Sequence, residues 1–177
     1  MDRKHFLAGL GGFGVASMLG VTPWGRGDRG DRGDRVAGEA GHVGKPGPDW
    51  KKLLTPAAYA VLFREDTERP FSSPLNAEHR AGTFVCAACY QPLFDSHAKF
   101  DSGTGWPSFY EPLKGRIATK RDFRLIIPRT EYHCNHCGGH QGHVFDDGPP
   151  PTGLRYCNNG LALRFIPAGE ALRPLRG

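Results

Sequence analysis

The sequence predicts a mainly β domain with a short helix at its N-terminal edge, and three observations predict it. Glycine (25) and proline (15) together exceed a fifth of the 177 residues, which favours turns and short strands over long helices. Short apolar runs, TFVC, RLIIP, HVF and LALRF, are mostly bounded by Gly, Pro or Asp-Gly signals. No sustained 3.6-residue periodicity follows residue 80, and no strand–helix alternation suggests a parallel sheet.

The elements follow in chain order. Asp2-Arg3-Lys4-His5 precedes an uncharged, Gly- and Ala-rich stretch, Phe6 to Val21, too short and too rich in glycine for a stable membrane span. Such a start has the pattern of a bacterial export signal. Arg3-Lys4-His5-Phe6-Leu7 resembles a twin-arginine signal with lysine in the second basic place. The expected location is the periplasm or cell exterior, with the cytoplasm as the alternative. Residues 22–50 hold RGDRGDRGDR and GKPGP, which bury little apolar surface. Residues 1–50 therefore read as export signal and disordered linker, and 51–177 as the folded domain.

Thr55 suits a helix N-cap and Pro56 the first helical position, and Ala57 to Phe63 continue without a breaker. From Arg69 to Asn76, two prolines and two serines predict a loop. The formal charge of +5 is spread out: residues 1–50 carry seven Lys/Arg against six Asp/Glu, leaving sixteen against twelve. With no basic run, no nucleic-acid partner is expected.

Four of the five cysteines form two pairs, Cys86/Cys89 in CAAC and Cys134/Cys137 in CNHC, with 44 residues between them. Two such pairs suit one tetrahedral Zn2+ held by four thiolates, each pair forming a tight turn. Gly138 lets the second turn leave the sulfurs, and the long separation requires strands inserted between the knuckles. A redox dithiol at one pair is the competing reading.

The fifth cysteine, Cys157 in GLRYCNNG, stands alone. Strand alternation would put Arg155, Cys157, Asn159, Leu161, Leu163 and Phe165 on one face, with the thiol where that face turns from polar to apolar. Arg155 and nearby donors would favour its thiolate. His140 and His143, in a glycine-broken segment, are expected on a loop entering the strand from His143 to Phe145. Near a thiol they can move protons at neutral pH. Trp106, after two glycines in KFDSGTGWPSFY, can wall a pocket for a small apolar group.

KFDSGTGWPSF, CGGHQGHVFDDGPPPTGLRYCNN and the two knuckles closely resemble the B-type methionine sulfoxide reductases, from about Leu54 to Phe165. The resemblance implies two antiparallel sheets, a structural zinc on Cys86, Cys89, Cys134 and Cys137, and reduction of the R epimer of methionine sulfoxide, in oxidised proteins and more weakly free. It implies that Cys157 is the nucleophile, that Trp106 contacts the substrate methyl, and that His140 and His143 supply the proton and position the oxygen. Arg155 and Asn159 would support thiolate and sulfoxide, with Asp147 behind them. Thioredoxin or a thioredoxin-like protein would restore the thiol of a monomeric enzyme. Asn158 and Gly160 depart from the family's usual aliphatic residue and serine, and both should point away from the Cys157 face. Thr104 stands where many members carry a resolving cysteine. A zinc-stabilised binding module with Cys157 packed in its core is the rival class.

Overall fold

A computed structural model of the chain describes residues 48–123 and 128–177. The expected signal and linker lie outside these residues except for 48–50, as does the expected strand RLIIP except for Pro128.

Two short helices open the domain, α1 (Trp50–Leu53) and α2 (Pro56–Arg64). α2 starts as expected: the Thr55 side chain accepts from the Ala58 N–H at 3.2 Å, and Pro56 fills the first position. It ends at Glu65, in the left-handed conformation, and buries Ala58, Val61 and Leu62. The loop through Arg69 contains a 3-10 turn, Pro74–Ala77.

Among the described residues nine strands follow: β1 (Gly82–Cys86), β2 (Pro92–Asp95), β3 (Lys99–Phe100), β4 (Ser108–Phe109), β5 (Ile117–Asp122), β6 (Arg129–Cys134), β7 (His140–Phe145), β8 (Arg155–Asn158) and β9 (Leu163–Pro167). They make two antiparallel sheets, as the resemblance implied. One has the order β2-β1-β9 and the other β3-β4-β8-β7-β6-β5. Strands β2 to β5 and most of β6 lie between the two cysteine pairs, which accounts for their separation.

Aromatic rings join the sheets. Phe94 of β2 stacks on Phe109 of β4 with centroids 4.1 Å apart, Phe84 of β1 meets Phe109 edge-on at 4.9 Å, and Tyr132 of β6 meets Phe94 at 6.1 Å. All four rings are fully buried, and area burial of this size supplies most of the favourable free energy of folding.

Two expectations are corrected. The single strand face from Arg155 to Phe165 is broken, because a 3-10 turn at Gly160–Ala162 carries the chain from β8 in one sheet to β9 in the other. His140 and His143 do not ride on a loop: β7 begins at His140. Gly142 serves close packing instead. A Cβ on Gly142 would stand 1.9 Å from the Cys157 carbonyl oxygen, so β7 and β8 can only approach this closely with glycine at that place.

Candidate active site and metal centre

Register builds the site. His143 of β7 lies opposite Cys157 of β8, with Glu131 of β6 opposite His143 and Ser108 of β4 opposite Cys157. One rung of the larger sheet thus carries the thiol and an imidazole side by side. His140 and His143 are three apart and would face opposite ways on a regular strand. The β6–β7 pairing steps between Tyr132↔Gly142 and His133↔His140, leaving Gln141 as a bulge. The bulge returns His140 to the face of His143, with ring centroids 5.5 Å apart.

An open cleft is lined by Trp106, His143, Cys157 and Asn159, together with Thr67, Arg129 and Phe145. Trp106 is held by its indole N–H donating to the Glu68 carbonyl at 3.2 Å. His140 stands behind His143, 2% exposed, its Nδ1 2.6 Å from Glu131 Oε1. Burial would raise the Glu131 carboxyl, but hydrogen bonds from His133 and His140 outweigh it and hold the group down at about 2. His143 Nε2 lies 2.8 Å from Asp122 Oδ2. Burial lowers the affinity of His143 for a proton, and the Asp122 hydrogen bond only partly restores it.

Arg155, next but one to the thiol in β8, is buried. It holds Asp147 through Nε at 2.8 Å and a second N–H at 2.9 Å, and it stacks over Phe145 at 4.4 Å. Asp147 therefore braces Arg155, outside the cleft lining. Asn159 spends its amide on the backbone, Nδ2 donating to the Gln141 carbonyl and Oδ1 accepting from the Glu68 N–H, both at 3.1 Å. The expected stabilisation of the thiolate exists, through Arg155 and a hydrogen bond from Thr104, but burial is the larger effect and pushes the Cys157 thiol up. Burial thus favours the uncharged form of both thiol and imidazole near neutral pH.

The two departures beside the nucleophile have local reasons. Asn158 is fully buried, its Oδ1 accepting from the Tyr132 hydroxyl at 2.6 Å and its Nδ2 donating to the Asn159 carbonyl at 2.8 Å. At Gly160 a Cβ would meet Ser73 Oγ at 1.9 Å, so Ser73 occupies the space a side chain would need. Glu68, which no motif pointed to, accepts from the Gly160 and Leu161 N–H groups and ties this turn to the Trp106 loop.

The four remaining cysteines converge, their sulfurs all within 4.8 Å of one another, with Cys86–Cys137 at 3.7 Å and Cys89–Cys134 at 3.5 Å. Sulfurs about 2.3 Å from a tetrahedral ion stand roughly 3.8 Å apart, so this spacing fits a four-thiolate metal site. None is paired as a disulfide. Both knuckles have the same backbone: Tyr90 N–H donates to the Cys86 carbonyl at 3.0 Å and Gly138 N–H to the Cys134 carbonyl at 2.9 Å, with φ of 65° and 72° at the donors. Gln91 and Gln141 donate N–H groups to Cys134 and Cys86 sulfurs at 3.3 and 3.5 Å, contacts that would orient these sulfurs as metal ligands.

A family profile for the SelR domain matches residues 54–167. The chain belongs to this family. It is 52% identical over 120 residues to the peptide methionine sulfoxide reductase MsrB of Agrobacterium fabrum, covering 67% of this chain and 89% of that protein. It is 54% identical over 119 residues to the protein of that name from Bradyrhizobium diazoefficiens, covering 67% and 86%. Against the Methanosarcina barkeri protein of the same name the identity is 52% over 118 residues, covering 66% and 83%. The SelR match spans the aromatic core, both knuckles and the whole Trp106–His143–Cys157 cleft.

Proposed function

We propose that this protein reduces methionine R-sulfoxide, chiefly in oxidised proteins, through a sulfenic acid on Cys157. One observation carries the reading: a lone thiol shares a sheet rung with a histidine in a cleft walled by tryptophan, within a SelR domain. Trp106 offers an apolar wall to the substrate methyl. Cys157 Sγ attacks the sulfoxide sulfur as its own proton passes, through histidine, to the sulfoxide oxygen. The sulfur–oxygen bond of the substrate breaks, the oxygen bonds to Sγ as a hydroxyl, and the transient bond between Sγ and the substrate sulfur breaks to release the thioether. Overall one thiol and one sulfoxide become one sulfenic acid and one thioether, a two-electron exchange between two sulfurs.

The other four cysteines are drawn together in one cluster that could hold a metal ion, so the sulfenic acid awaits an external thiol. Thioredoxin or a thioredoxin-like protein would attack it, releasing water and leaving a mixed disulfide, and a second thiol would free Cys157. Cys86, Cys89, Cys134 and Cys137 would hold one zinc ion, whose part is to anchor the two knuckles. A twin-arginine-like route, which exports folded protein, would let that metal load before the chain met an oxidising compartment.

The test is turnover on separated sulfoxide epimers with an added dithiol. Reduction of R, little of S, and none by a folded Cys157→Ser protein supports the reading. Equal turnover of both epimers, or turnover by the variant, contradicts it.

A further inference from the structure

Asp122 ends β5, 9% exposed and outside every motif the sequence offered. Its Oδ2 lies 2.8 Å from His143 Nε2 and accepts from an Arg129 N–H at 2.7 Å. Asp122 and Arg129 are opposite one another in the β5–β6 pairing, just as His143 and Cys157 are in β7–β8. Arg129 lines the cleft with His143 and Cys157, and its Nε is buried without a hydrogen-bond partner among the described residues. A carboxylate against one imidazole nitrogen decides what the other can do. It takes the hydrogen on Nε2 and leaves the Nδ1 lone pair available. His140 is held the other way, by Nδ1 on Glu131.

We propose that Asp122 is the positioning residue for proton transfer, fixing His143 in the Nε2–H tautomer so that Nδ1 can take the Cys157 proton and pass it to the sulfoxide oxygen. The inference rests on Cys157 being the nucleophile. The proton leaves Sγ for Nδ1 and then moves from Nδ1 to the oxygen, while Asp122 faces the imidazolium formed between. No other proton enters or leaves. Arg129 braces the carboxylate at the same oxygen, Oδ2. Among the described residues, the charged or titratable groups facing His143 are Asp122 from β5, Arg129 and Glu131 from β6, His140 from β7 and Cys157 from β8. Asp122 raises the proton affinity of His143 and Arg129 lowers it. Asp122→Asn should therefore move the His143-dependent limb of the pH–rate profile to lower pH, and Arg129→Gln should move it to higher pH.

The experiment is imidazole 15N NMR on the zinc-loaded full chain, with His143 assigned by His143→Ala, alongside single-turnover rates with the R-sulfoxide. The expected result is an Nε2–H tautomer at His143 in wild type, lost in Asp122→Asn. The variant's rate should fall about tenfold to a hundredfold, within the usual range for acid–base groups, and Asp122→Glu should recover part of it. An Nδ1–H tautomer in wild type overturns the proposal. So does an Asp122→Asn protein with wild-type rate and profile. Should Asp122→Asn lose zinc or its fold, the wild-type tautomer and the Arg129→Gln shift decide the matter. A wild type that carries the Nε2–H tautomer but reduces no sulfoxide counts against the function and in favour of the positioning.

Discussion

At the scale of single residues, Cys157 is a guarded thiol. Burial raises it above its ordinary value against the pull of Arg155 and Thr104, which favours the thiol over the thiolate at neutral pH. Iodoacetamide should therefore alkylate Cys157 slowly at pH 7, faster as pH rises past 9, and a thiolate-like rate at pH 6 would contradict the uncharged thiol. Glu131 gives a second residue-scale expectation. Its carboxyl lies at about 2 in the fold, against 4.5 ordinarily. A lowered carboxyl stabilises the fold above the ordinary value and loses that contribution as pH falls from 4.5 toward 2, on the order of 3 kcal/mol in all. Glu131→Gln should flatten the stability curve in that window, as read by urea unfolding at stepped pH. The sequence exposed Cys157, His143 and Trp106 because unusual residue types mark them. Asp122, Arg129 and Glu131 are ordinary charged residues, and only strand register brings them to the site.

Among elements, β7 and β8 decide the geometry. The Gln141 bulge turns an i, i+3 histidine pair onto one face, and an extra residue of that kind leaves no mark in a hydrophobic pattern. This is why a glycine-broken segment read as a loop proves to be a strand. The continuous face predicted from Arg155 to Phe165 failed for a related reason: apolar alternation continues across a change of sheet, and the backbone does not. Helix α2 was legible because its cap and proline are local signals. The β8 end is pinned by Tyr132, whose hydroxyl satisfies buried Asn158. Tyr132→Phe should cost about 1–3 kcal/mol, the usual penalty for a buried acceptor left without its donor, measured by denaturant unfolding. An unchanged midpoint would show that another donor reaches Asn158.

For the whole molecule, the four-cysteine cluster brings one knuckle at the end of β1 against the other at the end of β6, strands of different sheets. Cys134→Ser should release the metal and lower the melting temperature, because binding free energy at a structural zinc site, on the order of 10 kcal/mol in small zinc peptides, is largely folding free energy. The rate per folded molecule should change far less. Metal analysis beside thermal unfolding checks it, and an unchanged melting temperature in metal-free protein would remove the structural role. Among the described residues, no helix is long and apolar enough to cross a membrane.

The fate of the sulfoxide oxygen is the most direct test of a Cys157 sulfenic acid. One equivalent of methionine R-sulfoxide is added to the zinc-loaded protein without reductant, and the product is read by intact mass, a sulfenic-acid trap and metal content. The prediction is one trapped adduct on Cys157 with all zinc retained. A disulfide between Cys157 and a knuckle cysteine with zinc released, or no modification while methionine forms, would contradict it.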